Sequence, residues 1–326
     1  MHALNADPNM ATLQAYTIDF LFEIEKESGQ DIGLYMTGVV TIASTPDGWE
    51  WLQATYRVFQ TISIGDCHLM TPEEVKKACP IMDTKGFISG LWADREGYLD
   101  TTGTVHAYAG VAKKRGVTVI EHSRVLELNQ RPDGTWNVVT GKGTIHAKHL
   151  VNAGGLWAKQ VGRMVRLELP VTALDFEILM TVDPEGFTYI HQDRQGILVG
   201  IYETNYQHWN VDGAPWDYGF ELIQEDTDRI ADELVLAFER YPVLQEAGVK
   251  RWVNGAFTFS PDGNPLVDPV PGKRNYWLAS GVIAGFLQGG GVGKSLADRC
   301  DGSAIFPNPS EIRRQVPLGV ASRPPS

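Results

Sequence analysis

Glycine residues dominate a stretch near the end of this sequence, Ser280-Gly-Val-Ile-Ala-Gly-Phe-Leu-Gln-Gly-Gly-Gly-Val-Gly-Lys-Ser295. The apolar residues before it, Tyr276-Trp-Leu-Ala279, predict a strand, and Ser295-Leu-Ala297 predicts the start of a helix. At such a strand–turn–helix junction, backbone N–H groups and the helix dipole bind an electron-rich ligand, and glycine lets that ligand approach the backbone. Two ligands suit this chemistry: the phosphate of a nucleotide, and the electron-rich pyrimidine edge of a flavin.

The phosphate interpretation requires the spacing Gly-x-x-x-x-Gly-Lys-Ser/Thr. Gly293-Lys294-Ser295 supplies the end of that motif, but Gln288 stands where its first glycine is required. The sequence therefore favours the flavin edge. A glycine-rich turn that binds no ligand remains as the alternative.

A second stretch has the same organisation. His149-Leu-Val-Asn-Ala-Gly-Gly-Leu-Trp-Ala-Lys-Gln-Val-Gly162 predicts a short buried strand, a double-glycine turn and a helix. It is therefore a second place where a ligand can approach the backbone closely.

Composition excludes several classes of partner. The 326 residues include 28 Lys and Arg against 40 Asp and Glu, a net charge of −12, whereas nucleic acids and anionic membranes attract basic surfaces. No apolar stretch approaches the ~20 residues of a membrane span. The three cysteines are widely separated, and no Cys/His cluster has the spacing of a structural zinc site. We therefore expect a protein without metal in a reducing compartment: the cytoplasm, or the mitochondrial matrix if the source is eukaryotic.

The predicted elements divide the chain into helix–strand units, which carry the glycine turns, and a β-rich remainder. Residues 101–115 predict a helix, Val117-Thr-Val-Ile-Glu-His122 a strand, and residues 125–147 an antiparallel meander. Two glycine turns separated by a long insert predict an α/β domain interleaved with an antiparallel one. Residues 299–326 are rich in proline without periodicity and predict a disordered tail.

Taken in order along residues 1–297, several motifs resemble the D-amino-acid-oxidase-like family of FAD enzymes, most closely its dimethylglycine and sarcosine dehydrogenases. The motifs are Glu27-Ser-Gly-Gln30, Gly97-Tyr-Leu-Asp100, Asp133-Gly-Thr-Trp136, Leu150-Val-Asn-Ala-Gly-Gly-Leu-Trp-Ala158, Gly200-Ile-Tyr-Glu203, Phe259-Ser-Pro-Asp-Gly-Asn-Pro-Leu266, Asn275-Tyr-Trp-Leu-Ala279 and Gly289-Gly-Gly-Val-Gly-Lys294. The resemblance implies an α/β + α+β fold with a glutathione-reductase-like FAD-binding domain (residues 1–30, 99–165 and 259–298). A mixed, largely antiparallel substrate domain (residues 31–98 and 166–258) is interleaved with it.

The same resemblance implies an oxidative N-demethylase, in which FAD takes a hydride from the N-methyl carbon of a small amino acid such as dimethylglycine or sarcosine. It also assigns residues. Val125 would contact the adenosine side of FAD, and the turn residues Ala153, Gly154 and Trp157 would line the flavin. The ring edge would meet Ile283, Ala284, Gly285, Phe286 and Leu287. Tyr202 and Glu203 would face the substrate, although an ordinary strand end explains them as well.

The sequence also departs from this family. Relatives begin with a strand and a Gly-x-Gly-x-x-Gly turn for the FAD pyrophosphate, whereas the first Gly-x-Gly here, Gly141-Lys-Gly143, is predicted to lie in a hairpin. Phe176 and Ile178 stand where relatives carry a His and a Tyr. We therefore expect a fragment that lacks the dinucleotide-binding unit and the folate-binding domain, with a partner chain as one possible source of that unit. A non-catalytic regulatory protein on the same scaffold is the alternative function.

Overall fold

The computed structural model describes residues 3–62, 65–175, 182–193, 196–219 and 221–302. They form a mixed α/β fold with several sheets. The helices are α1 (Pro8–Ser28), α2 (Pro46–Ile62), α3 (Pro72–Ala78), α4 (Thr101–Lys114), α5 (Ala158–Arg163), α6 (Ala231–Arg240) and α7 (Gly285–Asp301), with 3-10 turns at Gly155–Trp157 and Pro242–Glu246.

The strands form four sheets. They are β1 (Val39–Ala43), β2 (Cys67–Met70), β3 (Ser89–Ala93), β4 (Val125–Gln130), β5 (Trp136–Thr140), β6 (Gly143–Ala147), β7 (Leu150–Asn152), β8 (Thr172–Asp175), β9 (Val182–Asp183), β10 (Thr188–Asp193), β11 (Gly196–Ile201), β12 (His208–Trp209), β13 (Ala256–Phe259) and β14 (Tyr276–Leu278). The largest sheet has the order β11-β10-β9-β1-β3-β2, and the others are β12-β8-β13, β4-β5-β6 and the pair β14-β7. The predicted meander over 125–147 is confirmed as β4-β5-β6.

The six-stranded sheet is largely antiparallel, with one parallel pairing between β9 and β1. On one face Val40, Ile42 and Ile190 pack against a cluster that includes Val75 and Tyr241. Strands β2 and β3 turn their other side chains toward the core formed with α1 and α2. The sheet is therefore covered on both faces over much of its width.

Helix α1 is bounded by a capping side chain at its amino terminus and by a glycine at its carboxyl terminus. The Asp7 side chain accepts from the N–H groups of Asn9 and Met10, Pro8 occupies the first turn, and Gly29 ends the helix at φ 71°. Its buried face includes Leu13, Thr17, Ile18 and Leu21. This face is the surface on which α7 packs.

The prediction that a helix begins at Ser295 is wrong, because α7 begins at Gly285 and contains the glycine run 289–293. The reason is the close approach of α1. A methyl group on Gly291 would collide with the Leu13 side chain, and the Gly291 N–H donates to Thr17 Oγ1 at 2.9 Å. These glycines therefore allow close contact between the two helices. The turn that could face a ligand lies earlier in the chain, just before Gly285.

Helix α7 also extends into the predicted tail, since residues 299–301 are helical. The rest of that tail, residues 303–326, lies outside the described residues.

The strand predicted for Val117–His122 does not form, although the helix before it, α4, does. Val117 N–H donates to the Ala112 carbonyl at the end of α4, and the residues after it pair with no strand among the described residues. A strand needs a hydrogen-bonded neighbour, and the described part of the chain supplies none to this segment. Val117, Val119 and Ile120 are consequently 54%, 39% and 46% exposed.

Candidate flavin and substrate sites

The two glycine turns predicted from the sequence lie side by side, because the strands that lead into them are neighbours. Strands β7 and β14 run parallel, with Leu150 opposite Tyr276 and Asn152 opposite Leu278. The carboxyl ends of parallel strands meet at one edge of a sheet, which is where ligands bind in open α/β folds. The chain after β14 continues this contact, since Ala279 N–H donates to the Asn152 carbonyl at 3.0 Å.

Asn152 organises the first of these turns. Its side chain is 3% exposed, and its amide donates to the Ala158 carbonyl (2.9 Å) and to the Tyr276 hydroxyl (3.2 Å). Its oxygen accepts the Gly154 N–H at 3.1 Å. These three side-chain hydrogen bonds fix β7 relative to β14 and to the start of α5.

The candidate residues of this turn differ in their surroundings. Ala153 is exposed and Gly154 is half-buried, and a methyl group on Gly154 would lie 3.1 Å from the Ala158 backbone. Trp157 is half-buried in the 3-10 turn, and its indole N–H donates to the Pro215 carbonyl at 2.8 Å. The sequence did not indicate that Trp157 is tied to a distant loop.

The second turn ends at the amino terminus of α7. Among the described residues no side chain caps this helix at Ala284, and the N–H groups of Leu287 and Gln288 both donate to the Ala284 carbonyl. The N–H groups of Gly285 and Phe286 lie at the open end, where both residues are exposed. Ile283 and Ala284 are half-buried and Leu287 is buried, so the five candidate ring-edge residues lie at one helix start.

A cleft of about 390 Å3 opens at this helix start, between α7 and α4. It is lined by Tyr108, Gly285, Phe286 and Gly289, and nothing lies within 4 Å of where a methyl group on either glycine would be. The Tyr108 hydroxyl is buried without a hydrogen-bond partner among the described residues, and burial raises its pKa to about 12. The open helix dipole and this neutral donor fit an electron-rich ring edge.

The pyrophosphate end of FAD has no comparable place in the described residues. Gly141-Lys-Gly143 joins β5 to β6, where Thr140 pairs with Gly143, which confirms the predicted hairpin. Val125, the candidate adenosine contact, begins β4 and packs in the cluster that contains Trp136 and Tyr276. The residues present therefore fit the ring of FAD and do not by themselves supply its phosphate cradle.

Tyr202, the first candidate substrate contact, follows the last residue of β11. Its N–H donates to the Phe187 carbonyl at 2.7 Å, and its ring lies 5.5 Å from that of Tyr189. Burial raises the pKa of Tyr202 to about 12. Glu203 is paired with Arg229 at 3.0 Å, and the two side chains are 9% and 6% exposed. The carboxylate of Glu203 is thus held inside the protein. Phe176 and Ile178 lie outside the described residues.

A group of rings that sequence reasoning missed lies around Tyr202. Tyr98 lies 5.3 Å from Tyr35 and 5.7 Å from His191, and Tyr98 and Tyr202 both pack on Val39 and Val182. Tyr189 lies across Gly200, where a methyl group would overlap its ring. The aromatic residues at alternate positions 189 and 191 were the available signal, but only the sheet pairing brings them to Tyr98.

The described residues also bear on metal ions and membranes. No group of three or more His, Cys, Asp or Glu side chains has an arrangement that could hold a metal ion. In the same part of the chain, each helix is too short or too polar to cross a bilayer.

Comparison with known proteins decides the family. The model of the family described as "DAO: FAD dependent oxidoreductase" matches residues 2–299, which is most of the chain. This chain belongs to the DAO family of FAD-dependent oxidoreductases. The flavin interpretation of the glycine turns is therefore preferred over the phosphate-binding one.

Individual relatives of this DAO-family chain are similar in sequence and in fold. Mitochondrial dimethylglycine dehydrogenase of Mus musculus is 34% identical over 89% of this chain and 36% of its own length. Mitochondrial sarcosine dehydrogenase of Mus musculus is 29% identical over 84% of this chain and 32% of its own length. The crystal structure of L-proline dehydrogenase from P. horikoshii has the same fold, with a TM-score of 0.80 at 19% identity over 96% of this chain and 86% of that one. The chain spans about a third of the length of the curated relatives it matches.

Proposed function

We propose that this chain carries the flavin-ring and substrate sites of an oxidoreductase that demethylates N-methylated glycines such as dimethylglycine or sarcosine. One observation carries the proposal: two strand ends joined by Asn152 meet the uncapped amino terminus of α7 at Ala284. The similarity to dimethylglycine and sarcosine dehydrogenases supports the class of substrate.

The chain's own residues would have three tasks. The open N–H groups of Gly285 and Phe286 would stabilise negative charge on the pyrimidine edge of the ring. The Tyr202 hydroxyl, which is neutral at physiological pH like that of any tyrosine, would donate a hydrogen bond to the substrate, and burial extends this neutral form to higher pH by raising the pKa to about 12. The surrounding rings of Tyr98 and Tyr189 would exclude water from the reacting carbon.

Bound FAD would supply the hydride acceptor. The N-methyl carbon would lose its hydride, and the lone pair of the neutral amine would stabilise the resulting iminium cation. Hydrolysis of the iminium carbon–nitrogen bond by water would release formaldehyde and the demethylated amine.

We further propose that the two kinds of sheet belong to interleaved domains with the boundaries predicted from the sequence. The parallel pair β7-β14 would belong to the FAD-binding domain (1–30, 99–165 and 259–298). The six-stranded sheet, built from residues 39–93 and 182–201, would belong to the substrate domain (31–98 and 166–258). The parallel pair and the six-stranded sheet each have a hydrophobic cluster of their own, which supports this division, while α1 and α4 share a further cluster with β1 and β3 across the proposed boundary.

We also propose that a β-α-β unit with a Gly-x-Gly-x-x-Gly turn covers the open edge beside β7. Val151 on β7 is 42% exposed, and an unpaired apolar strand edge of this kind invites pairing. Val117, Val119 and Ile120, which the sequence predicted as a strand, are each at least 39% exposed and would pair with the same unit. A partner chain or a longer form of the same polypeptide would supply the unit.

The three free thiols and the mitochondrial names of the relatives support a reducing compartment, the cytoplasm or, in a eukaryote, the mitochondrial matrix.

The variant Gly285→Asp tests the flavin site without destabilising the fold. An acidic residue in the first turn favours the helix, so α7 should be retained or strengthened. The same carboxylate would repel the electron-rich ring edge, so FAD affinity should fall sharply by absorbance titration. Gly293→Asp, in the middle of the same helix, is the matched control and should leave FAD affinity unchanged.

Substrate turnover is measured on the FAD-loaded protein, alone and after the β-α-β unit is added separately or fused. Formaldehyde release from dimethylglycine or sarcosine supports the proposal. FAD binding without turnover of either amine, in every one of these forms, would show the chain to be non-catalytic.

A further inference from the structure

Residues 203–219, called the strap below, begin immediately after Tyr202 and cross to the helix that follows the first glycine turn. The near end of the strap is held at α6. Thr204 donates its N–H and hydroxyl to Glu233 Oε1, at 2.9 and 2.5 Å, and Glu203 is paired with the buried Arg229. The residue next to the proposed substrate contact is therefore fixed on one side.

The far end of the strap is held by a row of side chains on α5 and the turn before it. Lys159 Nζ donates to the Val211 carbonyl (3.0 Å) and Arg163 Nη1 to the Asp212 carbonyl (2.8 Å). Gln160 Nε2 donates to the Ala214 carbonyl, and Trp157 Nε1 to the Pro215 carbonyl (2.8 Å). The four donors lie within seven residues, and all four acceptors are backbone carbonyls.

One glycine makes this close approach possible. Gly213 has φ +120°, a conformation that side chains rarely adopt, and a methyl group there would collide with the amide of Gln160. The neighbouring Trp216 lies under the Arg124 guanidinium, 4.1 Å from the ring centre, next to the candidate adenosine contact Val125. The strap therefore contacts both α5 and the residue that precedes β4.

We propose that Lys159, Gln160 and Arg163 are positioning residues, which hold the strap and so fix Tyr202 relative to the turn 153–157 that lines the flavin. This inference rests on the proposed function. Helix α5 follows that turn without a break, so the donors that hold the strap move with the flavin-side residues. Hydrogen bonds from α5 to the strap thus restrict the distance between Tyr202 and the turn 153–157. Productive substrate binding requires this distance to be constant.

The decisive variant is Gly213→Ala, with Gly248→Ala as the matched control, since nothing lies within 4 Å of a methyl group at position 248. The double variant Lys159→Met, Arg163→Met removes two donors without altering the strap.

The first measurement is the rate of chymotrypsin cleavage within residues 205–219. The second, on the FAD-loaded protein, compares the KM for dimethylglycine with kcat. The third is the affinity for trimethylglycine, read from the flavin spectrum, because this compound has no lone pair to support hydride loss.

We expect Gly213→Ala and the double variant to be cleaved faster within the strap, and Gly248→Ala to be cleaved like the parent. In Gly213→Ala and in the double variant, KM and the trimethylglycine dissociation constant should both rise about tenfold, because a displaced Tyr202 binds the ligand less well. We expect kcat to change little. Faster cleavage with unchanged KM and unchanged trimethylglycine affinity overturns the proposal, as does cleavage that the variants do not alter. If the parent protein binds no FAD, the proposed function fails and the positioning role with it. The cleavage rates then still report separately whether α5 holds the strap.

Discussion

Glu203 Oε2 lies 3.0 Å from Arg229 Nη2, and both side chains are more than nine-tenths buried. Burying two charges costs solvation free energy, which their attraction offsets only while both are present. The pair joins the residue that follows Tyr202, after the end of β11, to the residues that precede α6. The charge of Glu203 is therefore neutralised inside the protein, and under the proposed function Tyr202 would be the uncharged donor that the substrate meets.

Removal of Arg229 should consequently be severe. Arg229→Met leaves the Glu203 carboxylate buried without its cation, and the free energy of unfolding should fall by about 3–5 kcal/mol in urea titrations. Lys113→Met breaks the exposed Lys113–Glu121 pair and is the control, for which we expect little change. Equal effects of the two substitutions would contradict this role of the buried pair.

The contact between α1 and α7 predicts opposite effects for two alanine substitutions in one helix. Gly291→Ala would place its methyl group against Leu13, including the backbone oxygen at 2.8 Å, and should lower the free energy of unfolding by about 1–3 kcal/mol. Gly293→Ala has open space and should raise it by about 0.5–1 kcal/mol, because alanine favours the helix. Thermal and urea unfolding of both variants would show whether the two signs differ.

Tyr202 should titrate far above an ordinary tyrosine. Burial raises its pKa to about 12, so the folded protein keeps a proton that the unfolded chain loses near pH 10. Its contribution to the free energy of unfolding is therefore complete below about pH 10 and is lost as the pH rises toward 12. In an ultraviolet difference titration, the parent protein and Tyr202→Phe should form equal numbers of phenolates near pH 10. Near pH 12 the variant should form one phenolate fewer than the parent. A phenolate that disappears near pH 10 would place Tyr202 in solvent.

The exposed edge beside β7 should govern association of the isolated chain. Val151→Lys places a charge on the open edge of β7, and Val119→Lys places one on the exposed apolar segment 117–120. Both should reduce aggregation, measured by light scattering, and abolish capture of the proposed β-α-β unit. Val249→Lys is the control, because Val249 is 64% exposed elsewhere and should change neither measurement. Hydrogen exchange adds a direct test, since strong protection of residues 117–120 in a monodisperse monomer would show that the edge is already closed.

Local patterns explain the part of the fold that the sequence predicted. Asp7, Pro8 and Gly29 delimit α1 through hydrogen bonds and backbone angles within a few residues, and the Gly141-Lys-Gly143 hairpin is equally local. The glycine run 289–293 misled the sequence analysis, because glycine favours a turn unless another helix requires close packing. Leu13 and Thr17, more than 270 residues away, supply that requirement.

The sequence by itself determined that the chain has two glycine turns after short apolar strands, an acidic surface and the motifs of the DAO family. Each of these depends on residue type and short spacing, so a linear pattern records it. Only the tertiary structure decided that Asn152 joins the two turns, that Glu203 is neutralised by Arg229, and that the strap is held on α5. These contacts link residues 26 to 124 positions apart through hydrogen bonds, and the geometry of such bonds exists only once the intervening chain has packed.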